Sequence, residues 1–320
     1  MMAWFSRLCT TVTLGGARAI SIFLSVVFYF LWIGALRGEV LIIYPEVTEP
    51  FREAFTQMIM GVTKAVGEPI QTQRLPITAT REDFRQLLAN RKDQAILLLG
   101  QRPLSFYEER LMGRSPVFIS GIDALPGQIK LPGVSLAIDP ALSLRALRDL
   151  LPHLEKVVVY YDARDQPWLE RIKQLAQAQN CAIESISVKN ATDVARALGE
   201  TFKSINPQTM ALWFGRDTIA YNTEVLYPYI LEQSWDRRVA VISDTLAHVR
   251  RGFLLAYYPD FASVGSQVGY LIHRRDRPVP VGLQWSASGH LSLNVRTAKH
   301  LGIEIPAALL QQATPVFPTP

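Results

Sequence analysis

The chain has 320 residues, with 33 Lys and Arg against 28 Asp and Glu, a formal net charge of +5 and 49% hydrophobic residues. That length and apolar content suit one large domain or two lobes, and they exclude a mainly disordered chain. Residues 1–37 hold Arg7, Arg18 and Arg37 and no acid, leaving 30 basic against 28 acidic residues elsewhere, too even a balance for a nucleic-acid binder.

The first predicted element is residues 19–36, AISIFLSVVFYFLWIGAL, eighteen residues without a charge between Arg18 and Arg37. As a helix it would span about 27 Å, close to the hydrocarbon thickness of a bilayer. The arginines before it keep the N-terminus cytoplasmic and send the rest across, so the body is expected in the periplasm. Two fates stay open: a retained anchor in the inner membrane, favoured by the length and the bulky aromatic end, or a signal peptide cleaved after residues 33–35. Cys9 lies before this segment and Cys181 far beyond it, which excludes a disulfide framework and a thiolate metal site.

After Gly38, short apolar β-rich runs alternate with segments of helical period. The predicted strands are residues 40–44, 95–99, 117–120, 134–138, 157–161, 183–188, 211–214, 239–242 and 253–257. The predicted helices are residues 50–66, 81–90, 143–151, 168–179, 192–204, 218–233 and 261–273. This alternation predicts an α/β fold with parallel sheets, and runs such as KVVVYY predict sheets covered on both faces. The series restarts near residue 152, giving two lobes. The Pro-rich tail from Thr314 is expected to be frayed.

Catalytic motifs are missing. There is no G-x-G-x-x-G, no Walker-type loop and no G-x-S-x-G; Gly265 and Gly269 are expected to allow close helix packing instead. His153, His248, His273, His290 and His300 show no metal-ligand spacing and are expected at the surface or as caps. Cys181 is expected in the core. No enzyme, no cofactor and no metal is expected.

In open α/β sheets, ligands bind outside the carboxyl ends of the strands. That rule selects the turns carrying Thr48, Arg102, Asp123, Asp162, Arg164, Arg216, Asp217 and Asp244. Their mixture of Arg and Asp would suit a zwitterion, Arg holding a carboxylate and Asp accepting from an ammonium. Thr48, Asp165 and Asp217 also stand where ordinary helix caps stand. Tyr161 and Phe214, bordering the turns, could stack on a ligand.

Residues 291–310, LSLNVRTAKHLGIEIPAALL, closely resemble the C-terminal signature of the ABC transporter substrate-binding family that includes tryptophan- and tyrosine-type binding proteins. The matching residues are Asn294, Arg296, Thr297, Ala298, Lys299, Leu301, Gly302, Ile305, Pro306, Leu309 and Leu310. LLPHLEKVVVYYDARDQPWLERIKQLAQAQNCAIESISV and YYPDFASVGSQVGYLI are similar to further segments of that family. The resemblance implies a type I periplasmic-binding-protein-like fold of two Rossmann-like lobes closing on a small organic ligand, with an ABC permease and its ATPase as partners. Lobe 1 would comprise residues 39–139 and about 261–280, lobe 2 residues 140–260 and about 281–312, with residues 313–320 a flexible tail. The turns at 162–166 and 101–103 are bulkier and more charged than the family's. An alternative is a membrane-anchored sensory or accessory protein that kept the fold and signals to a membrane partner.

Overall fold

The computed structural model describes residues 40–89, 94–109, 115–215 and 225–318. The predicted apolar segment at residues 19–36 lies outside them; among the described residues, no helix is long and apolar enough to cross a membrane.

The first half runs β1 (Val40–Pro45), α1 (Phe51–Val66), β2 (Ile70–Leu75), α2 (Arg81–Leu88), β3 (Ala95–Leu99), α3 (Gln101–Ser105), β4 (Val117–Ser120) and β5 (Gly133–Ile138). The chain continues through α4 (Ala141–Leu150), β6 (Lys156–Tyr161), α5 (Gln166–Gln177), β7 (Ala182–Ser187), α6 (Ala191–Ser204), β8 (Met210–Phe214), α7 (Leu226–Arg237), β9 (Ala240–Ser243), α8 (Leu246–Arg251) and β10 (Leu255–Pro259). It ends with α9 (Phe261–His273), β11 (Leu283–Ser286), β12 (Gly289–Asn294), α10 (Val295–Leu301), α11 (Ala307–Gln312) and β13 (Ala313–Phe317).

Two sheets result. The first has the order β11-β5-β4-β3-β1-β2 with every pair parallel. The second has the order β13-β12-β10-β9-β8-β6-β7, parallel except where β12 runs antiparallel to β10. Inner strands such as β1, β3 and β8 are apolar throughout because both faces are covered. Side chains alternate between layers: Val40, Ile42 and Leu97 enter one cluster while Leu41, Ile43 and Leu98 enter the other. The second sheet repeats this with Val157, Val159 and Trp213 against Val158, Tyr160 and Phe214.

α1 and α9 pack side by side on the first sheet, and glycine sets their separation. A Cβ on Gly265 would lie 2.0 Å from the Met58 carbonyl oxygen, and one on Gly61 2.1 Å from that of Ala262. Gly265 and Gly269 therefore have the packing role their sequence suggests.

Several elements differ from expectation. β2 has a polar sequence, IQTQRL, because it is an edge strand with much of its surface exposed. The tail from residue 313 is not frayed: β13 pairs parallel with β12, Ala313 is buried, Tyr258 Oη donates to the Thr314 carbonyl at 2.7 Å, and Ser292 Oγ to that of Pro315 at 2.8 Å. Proline is tolerated there because the strand forms the sheet's edge. Residues 283–286, expected with the second lobe, pair with β5 in the first sheet.

The chain passes between the sheets three times, after Ile138, after Pro259 and after Ser286. Asp139 N donates to the Ser286 carbonyl at 2.9 Å, and the Gln267 side chain bonds both Trp285 O and Ala287 N. Strands β5 and β10 both leave their sheets at their carboxyl ends. The carboxyl edges of the two sheets consequently face the same interlobe region.

Candidate functional site

On the first sheet the carboxyl edge presents the turns after β1, β3 and β4, which are neighbours in the order β4-β3-β1. Thr48 is exposed in the first of these, and its carbonyl accepts from Arg52 N at 3.1 Å. The capping contact at this helix comes from Glu49, whose carboxylate accepts from Glu53 N at 3.3 Å and from Arg52 Nε at 2.8 Å. Thr48 is left with an exposed hydroxyl at the strand end.

Arg102 lies at the start of α3, and its guanidinium is engaged by the protein's own backbone. Its Nη2 donates to the backbone carbonyls of Ile77 and Ala79, the latter at 2.9 Å, and the group sits over the Phe106 ring. Arg102 thus ties the β2–α2 connection to the body, which corrects its reading as a ligand anchor. Asp123 is exposed in the segment after β4.

That segment, residues 121–132, reaches the second lobe. Leu125 is 1% exposed and belongs to a cluster whose other buried members all come from Leu144 onward. Gln128 straps the connection: its Oε1 accepts from Leu125 N at 2.7 Å and its Nε2 donates to the Arg164 carbonyl at 3.2 Å. Sequence reasoning missed Gln128, because a polar residue beside a Pro-Gly turn carries no signal of a long-range partner.

On the second sheet the edge presents the turns after β6, β8 and β9, again neighbours. Asp162 caps the 3-10 turn Ala163–Asp165, accepting from Arg164 N and Arg164 Nε at 2.9 Å each. The Arg164 side chain and backbone bonds hold the Asp162 carboxyl below the usual carboxylate range. The two charges expected to grip a ligand therefore grip each other, while most of the Arg164 side chain remains in solvent.

Asp244, after β9, accepts from Trp213 Nε1 at 3.2 Å. Trp213 packs edge-on against Trp168, and the Trp168 ring covers Gly215 so closely that a Cβ there would lie 2.5 Å from it. Arg216 and Asp217 follow Gly215 and lie outside the described residues. Phe214 is buried and stacks on Tyr160 at 4.8 Å, so it is core rather than a ligand contact. Tyr161 is half-buried against the same cluster as Trp168.

His248 also departs from expectation. It is buried, with Nδ1 2.9 Å from Ser243 Oγ and its ring packed edge-on against those of Tyr227 and Phe253, which also touch each other. Cys181 is buried as expected, and burial pushes its thiol upward against the opposing pull of Arg148. Among the described residues, no group of three or more His, Cys, Asp or Glu could hold a metal ion.

Comparison with known proteins places this geometry. Residues 126–317 match the family model for ABC transporter substrate binding proteins. A ligand-free, open substrate binding protein with adhesive properties from Clostridium difficile superposes with a TM-score of 0.59, at 14% identity over 88% of this chain and 100% of that one. The ABC domain in complex with L-Trp from Streptococcus pneumonia gives a TM-score of 0.49 at 16% identity, over 88% of this chain and 100% of that one. No curated protein matches the chain. Together with the two mostly parallel sheets, the first structural likeness gives a type I periplasmic-binding-protein fold.

Proposed function

Because the chain belongs to the ABC transporter substrate binding protein family, we propose that it captures a small organic solute, an amino acid among the candidates, between its lobes and delivers it to an ABC permease and its ATPase. The observation that carries this reading is the opposition of two sheet edges joined by three crossovers, the arrangement in which α/β proteins hold ligands. Ligand touching both lobes shifts the population toward the closed form, which the permease reads. Thr48, Asp123, Asp162, Arg164, Arg216, Asp217 and Asp244 are the proposed ligand-facing residues. No chemical step on the ligand belongs to this reading. Residues 19–36 either anchor the body in the inner membrane or serve as a cleaved signal, and both place it in the periplasm.

Thermal-shift screening of the full chain in mild detergent, against amino acids, sugars and organic anions, tests the proposal. A stabilising solute whose effect is lost in Arg164→Gln supports it; no stabilisation by any class argues against it. A second reading, an anchored sensory or accessory protein, is favoured by one observation: Arg102 and Asp162 are already committed to partners within the protein. Co-purification with a permease supports transport, and co-purification with a kinase, cyclase or outer-membrane receptor supports signalling. Intact mass of membrane-extracted protein decides between anchor and signal.

A further inference from the structure

The second lobe carries another cavity, at the pole opposite its carboxyl edge. β12 runs antiparallel to β10, so Asn294 lies beside the start of β10, and β13 delivers Phe317 opposite Asn294. Between these ends and the last turns of α7 and α8 is a cavity of about 440 Å³, within the range of small-molecule sites.

Its polar floor is already satisfied. Asn294 Nδ2 donates to the Val249 carbonyl at 2.9 Å, Asn294 Oδ1 accepts from Thr297 N at 2.9 Å, and Thr297 Oγ1 donates to the Gly252 carbonyl at 2.9 Å. Arg250, Arg251 and Arg296 also line the cavity, and among the described residues none of them forms an ion pair. Two of them lie over aromatic faces, Arg251 over Tyr227 at 5.1 Å and Arg296 over Trp235 at 5.9 Å. A guanidinium held against a ring keeps its in-plane N–H donors available, the geometry that grips a carboxylate bidentately.

The apolar wall is fixed as well. The Trp235 indole stacks on His300 at 3.6 Å and 8°, and His300 Nε2 lies 2.9 Å from the Trp235 carbonyl, so the ring is clamped between α7 and α10. Phe317 and Pro318 face the same space. Glu232 and Asp236 at the cavity leave the three arginines an excess of one positive charge, which suits a monoanion better than a multiply charged phosphate.

From this we infer that the pole of the second lobe is a separate binding site for a monocarboxylate carried on an apolar or aromatic body. The carboxylate pairs with the arginines and the body lies against Trp235 and Phe317. The site is distinct from the interlobe region and faces away from it.

Titrating the full chain in mild detergent with 3-phenylpropionate, and following the tryptophan indole N–H resonances, tests the inference. The Trp235 signal, assigned through Trp235→Phe, is expected to move, and 3-phenylpropanamide, the neutral amide, to leave it in place. Arg296→Gln and Arg251→Gln should each weaken binding about tenfold, as loss of a charge-assisted bond implies. Arg250→Gln, whose side chain stacks on no ring, gives the same reading should loss of stacking disturb the fold. A titration that leaves the Trp235 signal still, or binding that persists in all three variants, overturns the inference. Inorganic phosphate moving the signal as much as 3-phenylpropionate overturns the assigned ligand class.

Discussion

Leu125 offers a direct measure of how the lobes hold each other. It belongs to a connection of the first sheet, yet it is 1% exposed within the second lobe's cluster. If the lobes part, this side chain enters water. Burying a leucine contributes about 2 kcal/mol, and truncating one to alanine in a core costs about 2–5 kcal/mol. Because that loss falls on the arrangement in which Leu125 is buried, Leu125→Ala should shift the ligand-free equilibrium roughly 30-fold toward parted lobes, taking 2 kcal/mol at about 1.4 kcal/mol per decade. Gln128→Met, which removes the bonds to Leu125 N and Arg164 O but keeps the side-chain length, should act in the same direction with a smaller shift. Small-angle scattering and fluorescence transfer between dyes on the two lobes read the separation. A lowered unfolding midpoint with unchanged lobe separation would refute the reasoning, since Leu125 would then belong to one undivided core.

Three further outcomes concern stability. Gly265→Ala places a methyl 2.0 Å from the Met58 carbonyl oxygen and forces α1 and α9 apart, so urea unfolding should show a loss of about 1–3 kcal/mol or more. Arg275→Met leaves Glu68 buried without its 2.8 Å partner and should cost about 3–5 kcal/mol, with much of it regained in the double variant Arg275→Met, Glu68→Gln. Burial pushes the Asp260 carboxyl up, but the Ser263 hydroxyl and amide outweigh it and hold the group below its ordinary 3.8. A depressed folded value stabilises above the unfolded one and is lost as pH falls through the folded one. Urea midpoints should therefore fall as pH drops below about 4, and Asp260→Asn should flatten that slope.

The buried strands were legible because a strand covered on both faces needs an unbroken apolar run, as AILLL in β3 shows. Edge strands escape that rule. β2 is mostly polar, and β13 contains Pro315, so neither carries the pattern. The candidate turns were legible as positions, since each directly follows the carboxyl end of a strand. Side-chain direction was not legible. Arg102 is claimed by the carbonyls of Ile77 and Ala79, residues brought near only by the β2–α2 connection. His248 is likewise enclosed by Tyr227 and Phe253, which local sequence does not place beside it.

These internal partners change what the interlobe region asks of a solute. An Arg–Asp cleft would select a zwitterion by charge, but Asp162 and Arg164 neutralise each other within one exposed turn, where pairs contribute little and salt screens them. Drawing Arg102 toward a ligand carboxylate would strip the part-buried Ala79 carbonyl of its donor, a penalty of about 1–3 kcal/mol for a buried group left unpaired, while the exposed Ile77 carbonyl can turn to water. Asp244 is in turn engaged by the Trp213 indole. Selection by net charge is weakened at each of these turns. What remains fixed is shape: Trp168 seated on Gly215 and braced by Trp213 occupies the carboxyl end of β8, at the centre of the second lobe's edge. Trp168, 2% exposed, is core by the same measure as Phe214, so it fixes the backbone at Gly215 and leaves contact with a solute under the proposed function to the more exposed residues of the turns.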